Sequence, residues 1–298
     1  MVTVSKHAGF CFGVRRATDL AEQLISESKK GKIIRTFGKL IHNEEYLKYL
    51  SENGIERIDE SGIAELYEKA KSGYSVTLML RTHGVERELL ERLEDYQSRC
   101  PDFKVVDCAC PYVKKIHKIA YENSGEGKLF ILIGQENHPE VTSIVSYCQG
   151  DYFVFADANQ LENYLESANL GEITVNMAAQ TTQNLQEWKK SQEILKKHCT
   201  NAKIFDTICS VTEKRQTEAI ELCRGVDAML VIGGKDSSNT AKLYSICKNQ
   251  CPKTFWIQTK DDIPFDKIGN SYNIGITAGA STPDSLIQEV KKSMSELM

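Results

Sequence analysis

No stretch of this 298-residue chain approaches the ~18 consecutive apolar residues that a membrane-spanning helix requires, so no membrane partner is expected. The first residues, with Lys6 and His7 soon after Val2-Thr3-Val4, lack the apolar stretch of a secretory signal. An excess of one charge is missing too: 37 basic against 41 acidic residues leave a net −4, which speaks against a nucleic-acid partner. No Pro-rich, Gly/Ser-rich or single-sign charged segment interrupts the chain, and linkers between domains must therefore be short. No G-x-G-x-x-G element follows a strand, which removes the signature of a nicotinamide or flavin site. The run Gly233-Gly234-Lys235-Asp236-Ser237 lacks the spacing of a nucleotide-binding P-loop.

Cysteine, by contrast, is plentiful. Ten cysteines in a chain without a secretory signal are expected to be reduced thiols or metal ligands, which points to the cytoplasm. Three of them, Cys11, Cys110 and Cys209, stand each 99 residues after the one before. Each ends an extended segment and opens a basic helical run: Cys11 before Arg15-Arg16, Cys110 before Lys114-Lys115, Cys209 before Lys214-Arg215.

The copies agree beyond the cysteines. Lys104-Val105-Val106-Asp107 and Lys203-Ile204-Phe205-Asp206 lead into Cys110 and Cys209 at equal offsets. An apolar run closes on glycine at 33–38, 129–134 and 228–233; four residues later come His42, His138 and Ser237, and six later Glu44, Glu140 and Asn239. At 72 residues past each cysteine stand His83, Thr182 and Ser281, each expected to open a helix. This repeat predicts three α/β domains at 11–109, 110–208 and 209–298, the last completed by a strand within 1–10, and it overrides the length prior of roughly two domains. Apolar runs alternate with amphipathic stretches such as 85–96 and 285–294, the pattern of βα units on parallel sheets. Strand-to-helix turns gather at one edge of such sheets, where ligands bind, and three such edges facing one another would form one central pocket. Segments 26–32, 122–128 and 261–271 read as surface loops.

Three converging thiolates suit few metals. Structural zinc usually takes four protein ligands, often from C-x-x-C knuckles, which these sites lack. A cubane iron–sulfur cluster on three cysteines leaves one iron without a protein ligand, able to act as a Lewis acid on a substrate oxygen. Helix N-termini after each cysteine favour the thiolate. Cys100, Cys108, Cys148, Cys199, Cys223, Cys247 and Cys251 read mostly as buried apolar residues. Cys108 competes with Cys110, but repeat register and Pro111 at the first helical position favour Cys110.

Over essentially its whole length the chain resembles the 4-hydroxy-3-methylbut-2-enyl diphosphate reductase family. The resemblance is carried by Gly9-Phe10-Cys11, Ile41-His42-Asn43, Thr82-His83-Gly84-Val85, Cys110-Pro111, His138-Pro139-Glu140-Val141, Gln180-Thr181-Thr182, Ile208-Cys209, Ser237-Ser238-Asn239 and Thr277-Ala278-Gly279-Ala280-Ser281. It implies a trefoil of three α/β domains around a [4Fe–4S] cluster held by Cys11, Cys110 and Cys209. It also implies reductive loss of an allylic hydroxyl, giving isopentenyl and dimethylallyl diphosphates for isoprenoid biosynthesis. A thiol at Cys108 departs from the family pattern.

Within that chemistry Glu140 is the expected proton source, with His138 and Thr181 relaying or orienting. His42, His83, Ser237, Ser238, Asn239 and Ser281, each expected at a helix start, would bind the diphosphate, while N-capping is the competing role for the serines and Asn239. His7, His117 and His198 fall outside the repeated positions and read as surface or core residues. Electrons are expected from an external ferredoxin- or flavodoxin-type carrier. The basic residues after the cysteines suit either docking of that carrier or, by preference, a solvated helix face. Two rival readings are an iron–sulfur redox or iron sensor, which leaves Glu140 and Ser237-Ser238-Asn239 unexplained, and a zinc-stabilised binding module.

Overall fold

The computed structural model describes residues 1–27, 32–269 and 272–296. The chain begins with β1 (Val2–Val4) and α1 (Phe12–Ser26), then runs through β2 (Lys32–Phe37), α2 (Glu44–Glu52), β3 (Glu56–Ile58), α3 (Ser61–Lys71), β4 (Ser75–Leu80), α4 (Arg87–Arg99) and β5 (Phe103–Asp107). The next stretch comprises α5 (Pro111–Glu122), β6 (Lys128–Ile133), α6 (Pro139–Val145), β7 (Tyr152–Phe155), α7 (Ala158–Ser167), β8 (Thr174–Ala179), α8 (Leu185–His198) and β9 (Ala202–Ile204). The last holds α9 (Ser210–Cys223), β10 (Ala228–Ile232), α10 (Ser238–Gln250), β11 (Thr254–Ile257), α11 (Phe265–Ile268), β12 (Ile274–Ala278) and α12 (Asp284–Glu296).

The strands form three parallel sheets of four, ordered β3-β2-β4-β5, β7-β6-β8-β9 and β11-β10-β12-β1. Inner strands such as β4 (SVTLML), β6 (KLFILI) and β10 (AMLVI) are buried on both faces, which is why they read as continuous apolar runs. Outer strands β3 and β7 are short and partly exposed. In the third sheet β1 occupies the position that β5 and β9 hold in the other two, pairing Val2 with Ile274 and Val4 with Ile276. The three cysteines therefore follow equivalent outer strands.

By compactness the chain divides into two bodies: Met1–Arg15 with Ile41–Tyr46 and Cys209–Met298, and Arg16–Leu40 with Leu47–Ile208. The first is built on the sheet containing β1, with Leu230, Ile232, Ile276 and Val290 in its core. In the second, Leu78, Leu80, Leu93 and Phe103 pack on one sheet and Ile131, Ile133, Met177 and Leu195 on the other. Each fully buried leucine contributes roughly 1.5–3 kcal/mol through area removed from water.

The stretch 122–128 connects α5 to β6 as a loop with one isolated bridge. Positions 28–31 of the loop expected at 26–32, and 270–271 of that expected at 261–271, lie outside the described residues. The rest of 261–271 is not plain loop: Lys260–Asp262 forms a 3-10 turn capped by Thr259, and α11 follows. Ile263 and Ile268 bury against the core and draw the segment inward despite its polar composition. Among the described residues no helix is long and apolar enough to cross a membrane, and none of the ten cysteines forms a disulfide.

Candidate active site

The three repeated cysteines share one local geometry. Their carbonyls accept the first helical hydrogen bonds, from Arg15 to Cys11 at 2.8 Å, Lys114 to Cys110 at 3.0 Å and Glu213 to Cys209 at 3.0 Å. Cys110 and Cys209 are the N-cap residues of α5 and α9 with closely similar extended backbones, and neither thiol caps its own helix. Pro111 stands in the first turn of α5, where its missing N–H leaves no bond unmade. The Cys11 amide donates to Ala280 O at 3.1 Å, and the Cys110 amide to Thr82 O at 2.9 Å. Cys11 and Cys110 thus hang on the carbonyls just before Ser281 and His83.

In the second body, α6 starts at Pro139 and carries Glu140 in its first turn, where helix amides favour an anion. Glu140 is 1% exposed. Its Oε1 accepts from the Thr181 amide at 2.6 Å and its Oε2 from the Thr181 hydroxyl at 2.8 Å. His138 caps α6: its Nδ1 accepts from the Glu140 amide at 3.1 Å, so a neutral ring carries its proton on Nε2. The His83 ring meets His138 edge to face at 5.2 Å between centroids. Glu140, His138, Thr181 and His83 accordingly form one group.

In the first body, His42 Nδ1 lies 2.9 Å from Asp236 O, a carbonyl that only accepts, so this nitrogen bears a proton. Ser281 donates to His42 O at 2.9 Å. Gly234 lets that carbonyl approach, because a Cβ there would sit 2.7 Å from it. Ser237 caps α10 by accepting from the Thr240 amide at 3.2 Å, and Ser238 and Asn239 follow in its first turn. Asn239 Nδ2 is buried and has no hydrogen-bond partner among the described residues. His42, Ser281 and the Ser237-Ser238-Asn239 turn form the second group.

Not every candidate opens a helix. Ser237 is an N-cap, but Asn43 rather than His42 caps α2, accepting from the Tyr46 amide at 2.9 Å. His83, Thr182 and Ser281 lie in turns that precede α4, α8 and α12 by several residues. The expected helix starts at those three positions are replaced by turns, the first held by Arg81 Nε donating to Gly84 O at 2.8 Å.

The leftover titratable residues separate cleanly. Cys108 is fully buried, and burial pushes its thiol up to about 12, so it stays protonated. His117 is buried, stacks on Tyr147 and lies 2.8 Å from Ser143 Oγ; desolvation lowers its pKa to about 4. The preferred solvated-face reading fails for Arg215, which is 2% exposed, and Arg16 is also turned inward to bond backbone carbonyls. In sequence neither is distinguishable from a solvated residue, because basic side chains near a helix start are the ordinary mark of a wet face. A cleft of about 490 Å³ beside α5, lined among others by Arg87, Asp107, Ala109, Lys114 and Tyr147, has cations already paired, Lys114 with Asp107 and Arg87 with Glu91.

A family model described as LytB protein matches residues 2–295. The chain is 38% identical over 291 residues to a 4-hydroxy-3-methylbut-2-enyl diphosphate reductase of Thermoanaerobacter sp. (strain X514), covering 98% of this chain and 95% of that protein. To the protein of that name from Caldanaerobacter subterraneus subsp. tengcongensis it is 36% identical over 298 residues, covering 99% and 97%. It is similar to the solved structure of (E)-4-hydroxy-3-methyl-but-2-enyl diphosphate reductase, the terminal enzyme of the non-mevalonate pathway, with TM-score 0.66, 33% identity and 99% of each chain covered. The Plasmodium falciparum E-1-hydroxy-2-methyl-but-2-enyl-4-diphosphate reductase superposes with TM-score 0.82 over 100% of this chain and 87% of that one; at 23% identity this likeness shows the fold alone.

Fold, buried carboxylate and relatives together define an α/β oxidoreductase built on three parallel sheets. Within that class the chain belongs to the LytB protein family.

Proposed function

We propose that this chain reduces 4-hydroxy-3-methylbut-2-enyl diphosphate to isopentenyl and dimethylallyl diphosphates, consuming two electrons and two protons and releasing the hydroxyl as water. The observation that carries the reading is Glu140, buried with both carboxylate oxygens on Thr181. A buried carboxylate bonded to a hydroxyl is suited to proton delivery, because the hydroxyl can pass one proton on while receiving another. In this reading Glu140, once protonated and with its bond to the Thr181 hydroxyl reversed, gives its proton to Thr181 Oγ1 as that hydroxyl hands its own to the departing substrate oxygen, and His138, fixed by its bond to the Glu140 amide, orients the pair.

Cys11, Cys110 and Cys209 are the ligands we assign to a [4Fe–4S] cluster. The residues suit such a group: each cysteine carbonyl accepts the first hydrogen bond of a helix, and Arg215, which bonds Gly9 O just before Cys11, has its Nη1 buried without a hydrogen-bond partner among the described residues. When bound, the cluster supplies electrons one at a time and a Lewis-acidic iron. His42, His83, Ser237, Ser238, Asn239 and Ser281 take the diphosphate, and the unmet donor of Asn239 is what such an anion would satisfy. Domains at 11–109, 110–208 and 209–298 with 1–10, a cytoplasmic setting and a ferredoxin- or flavodoxin-type electron donor complete the proposal.

Glu140→Gln tests it. The amide keeps size and an acceptor but cannot release a proton, so turnover with a saturating reduced donor should fall by roughly 10²-fold or more, while titration calorimetry still detects substrate binding. Turnover like the wild type would remove Glu140 as the proton source.

A further inference from the structure

Helix α9 grips the segment before Cys11 from two sides. Its Glu218 carboxylate accepts from Ser5 Oγ at 2.6 Å, the Lys6 amide at 2.6 Å and the His7 amide at 2.9 Å. One turn earlier, Arg215 donates through Nε to His7 O at 2.7 Å and through Nη2 to Gly9 O at 2.7 Å. Amides are thus taken by the acid and carbonyls by the guanidinium. Gly9 is held at φ +90°, and a Cβ there would meet Asp284 Oδ1 at 2.7 Å, so this backbone has one narrow path.

A second arginine repeats the device. On α1, Arg16 donates through Nη2 to Ala109 O at 2.8 Å and, more weakly, to Asp107 O at 3.4 Å, the backbone just before Cys110. The approach to Cys209 is held otherwise: Thr207 Oγ1 accepts from the Ala179 amide at 2.8 Å and donates to Ala179 O at 2.7 Å. The helix after Cys110 carries Lys115 and Ile116, not arginine, at the corresponding offsets.

Among the described residues neither guanidinium donates to a carboxylate, although a buried cation is costly without compensating charge. Arg215 Nη1 and Arg16 Nε are buried with no partner among the described residues. Glu218, on the same helix, is already engaged with residues 5–7. Arg215 reaches Gly9 O, two residues before Cys11, from the helix that Cys209 caps, so a thiolate at either cysteine would balance it.

We propose that Arg215 and Arg16 are positioning residues of the iron–sulfur site: each forks onto two carbonyls to fix the backbone that presents a ligand cysteine, and Arg215 also supplies a fixed positive charge to the thiolates. This rests on the cluster reading above. The fork is tested on the iron-free chain by hydrogen exchange, and the charge on the anaerobically reconstituted chain by iron counting, iron release to a chelator and midpoint potential. In Arg215→Met, amides 7–11 should exchange about tenfold faster or more, as loss of charge-assisted bonds implies, while amides 107–110 stay unchanged. Iron should leave faster, and the potential should move down, because a lost cation disfavours the more negative reduced cluster. Arg215→Lys keeps the charge without the fork and should restore the potential but not the exchange protection. Arg16→Met should loosen 107–110 and leave amides 7–11 protected. Exchange that rises equally everywhere, or a potential unmoved in Arg215→Met, overturns the proposal. A wild-type chain that takes up no iron sinks the cluster reading instead, and the exchange measurements then decide the fork by themselves.

Discussion

Two thiols separated by one alanine are treated oppositely by this chain. Cys108 faces the interior, its Sγ 3.6 Å from Val106 O, and burial keeps it protonated. Cys110 stands partly exposed at a helix start. Iron analysis after anaerobic reconstitution should therefore find about four irons per chain in Cys108→Ser, whose hydroxyl can use the Val106 carbonyl, and a depleted site in Cys110→Ser. The reverse pattern would move the ligand to Cys108. The register of 99 residues singles out Cys110 over Cys108 in the sequence alone. The inward turn of Arg215 was not legible, since only the fold reveals which face of α9 meets residues 7–9.

Among elements, the turn carrying His83 shows how tightly site-bearing segments are fitted. Gly84 has φ +77°, and an added Cβ would lie 2.6 Å from Ser143 Oγ and 2.8 Å from His117 Cε1. Ser143, on the helix that carries Glu140, also donates to Val85 O at 3.0 Å, so α5, α6 and the His83 turn share one buried contact. Gly84→Ala combines left-handed strain with overlap and should destabilise by about 2 kcal/mol or more in urea titration. A midpoint and slope like those of the wild type would show that the turn relaxes freely. Strands and most helices are readable from apolar runs, whereas the turns at His83, Thr182 and Ser281 read as helix starts because polar residues after a strand look alike in both settings. Segment 261–271 misled for a related reason: Ile263 and Ile268 are the only strongly apolar anchors in an otherwise polar or aromatic run.

For the molecule as a whole, acid stability follows from two groups, one in each compact body. Desolvation lowers His117 from 6.5 to about 4, so the unfolded chain binds the extra proton and stability declines as pH falls through that window. Burial tends to raise Glu218, but bonds from Ser5, His7 and Lys6 outweigh it and bring the carboxyl from 4.5 down to about 2. Its contribution is complete above 4.5 and is lost as pH falls toward 2. Denaturation midpoints should drop between pH 6.5 and 4 in the wild type and more shallowly in His117→Gln, while Glu218→Gln should flatten only the lower window. Identical slopes in all three chains would assign the acid sensitivity elsewhere. The threefold repeat and the family were readable at this scale because spacing survives in a sequence, while the pH response depends on burial that spacing does not encode.

Strand β1 carries a consequence for biosynthesis. Residues 2–4 leave the ribosome long before their partners on β12, residues 274–276. Until those emerge, the Cys11 amide has no Ala280 carbonyl to bond and the segment before it has no α9 to hold it. The nascent chain must carry Cys11 unanchored while all the residues between these partners are made, and long-range parallel pairing is slow to close. Any step that needs Cys11 in its native place accordingly waits for residues 274–280.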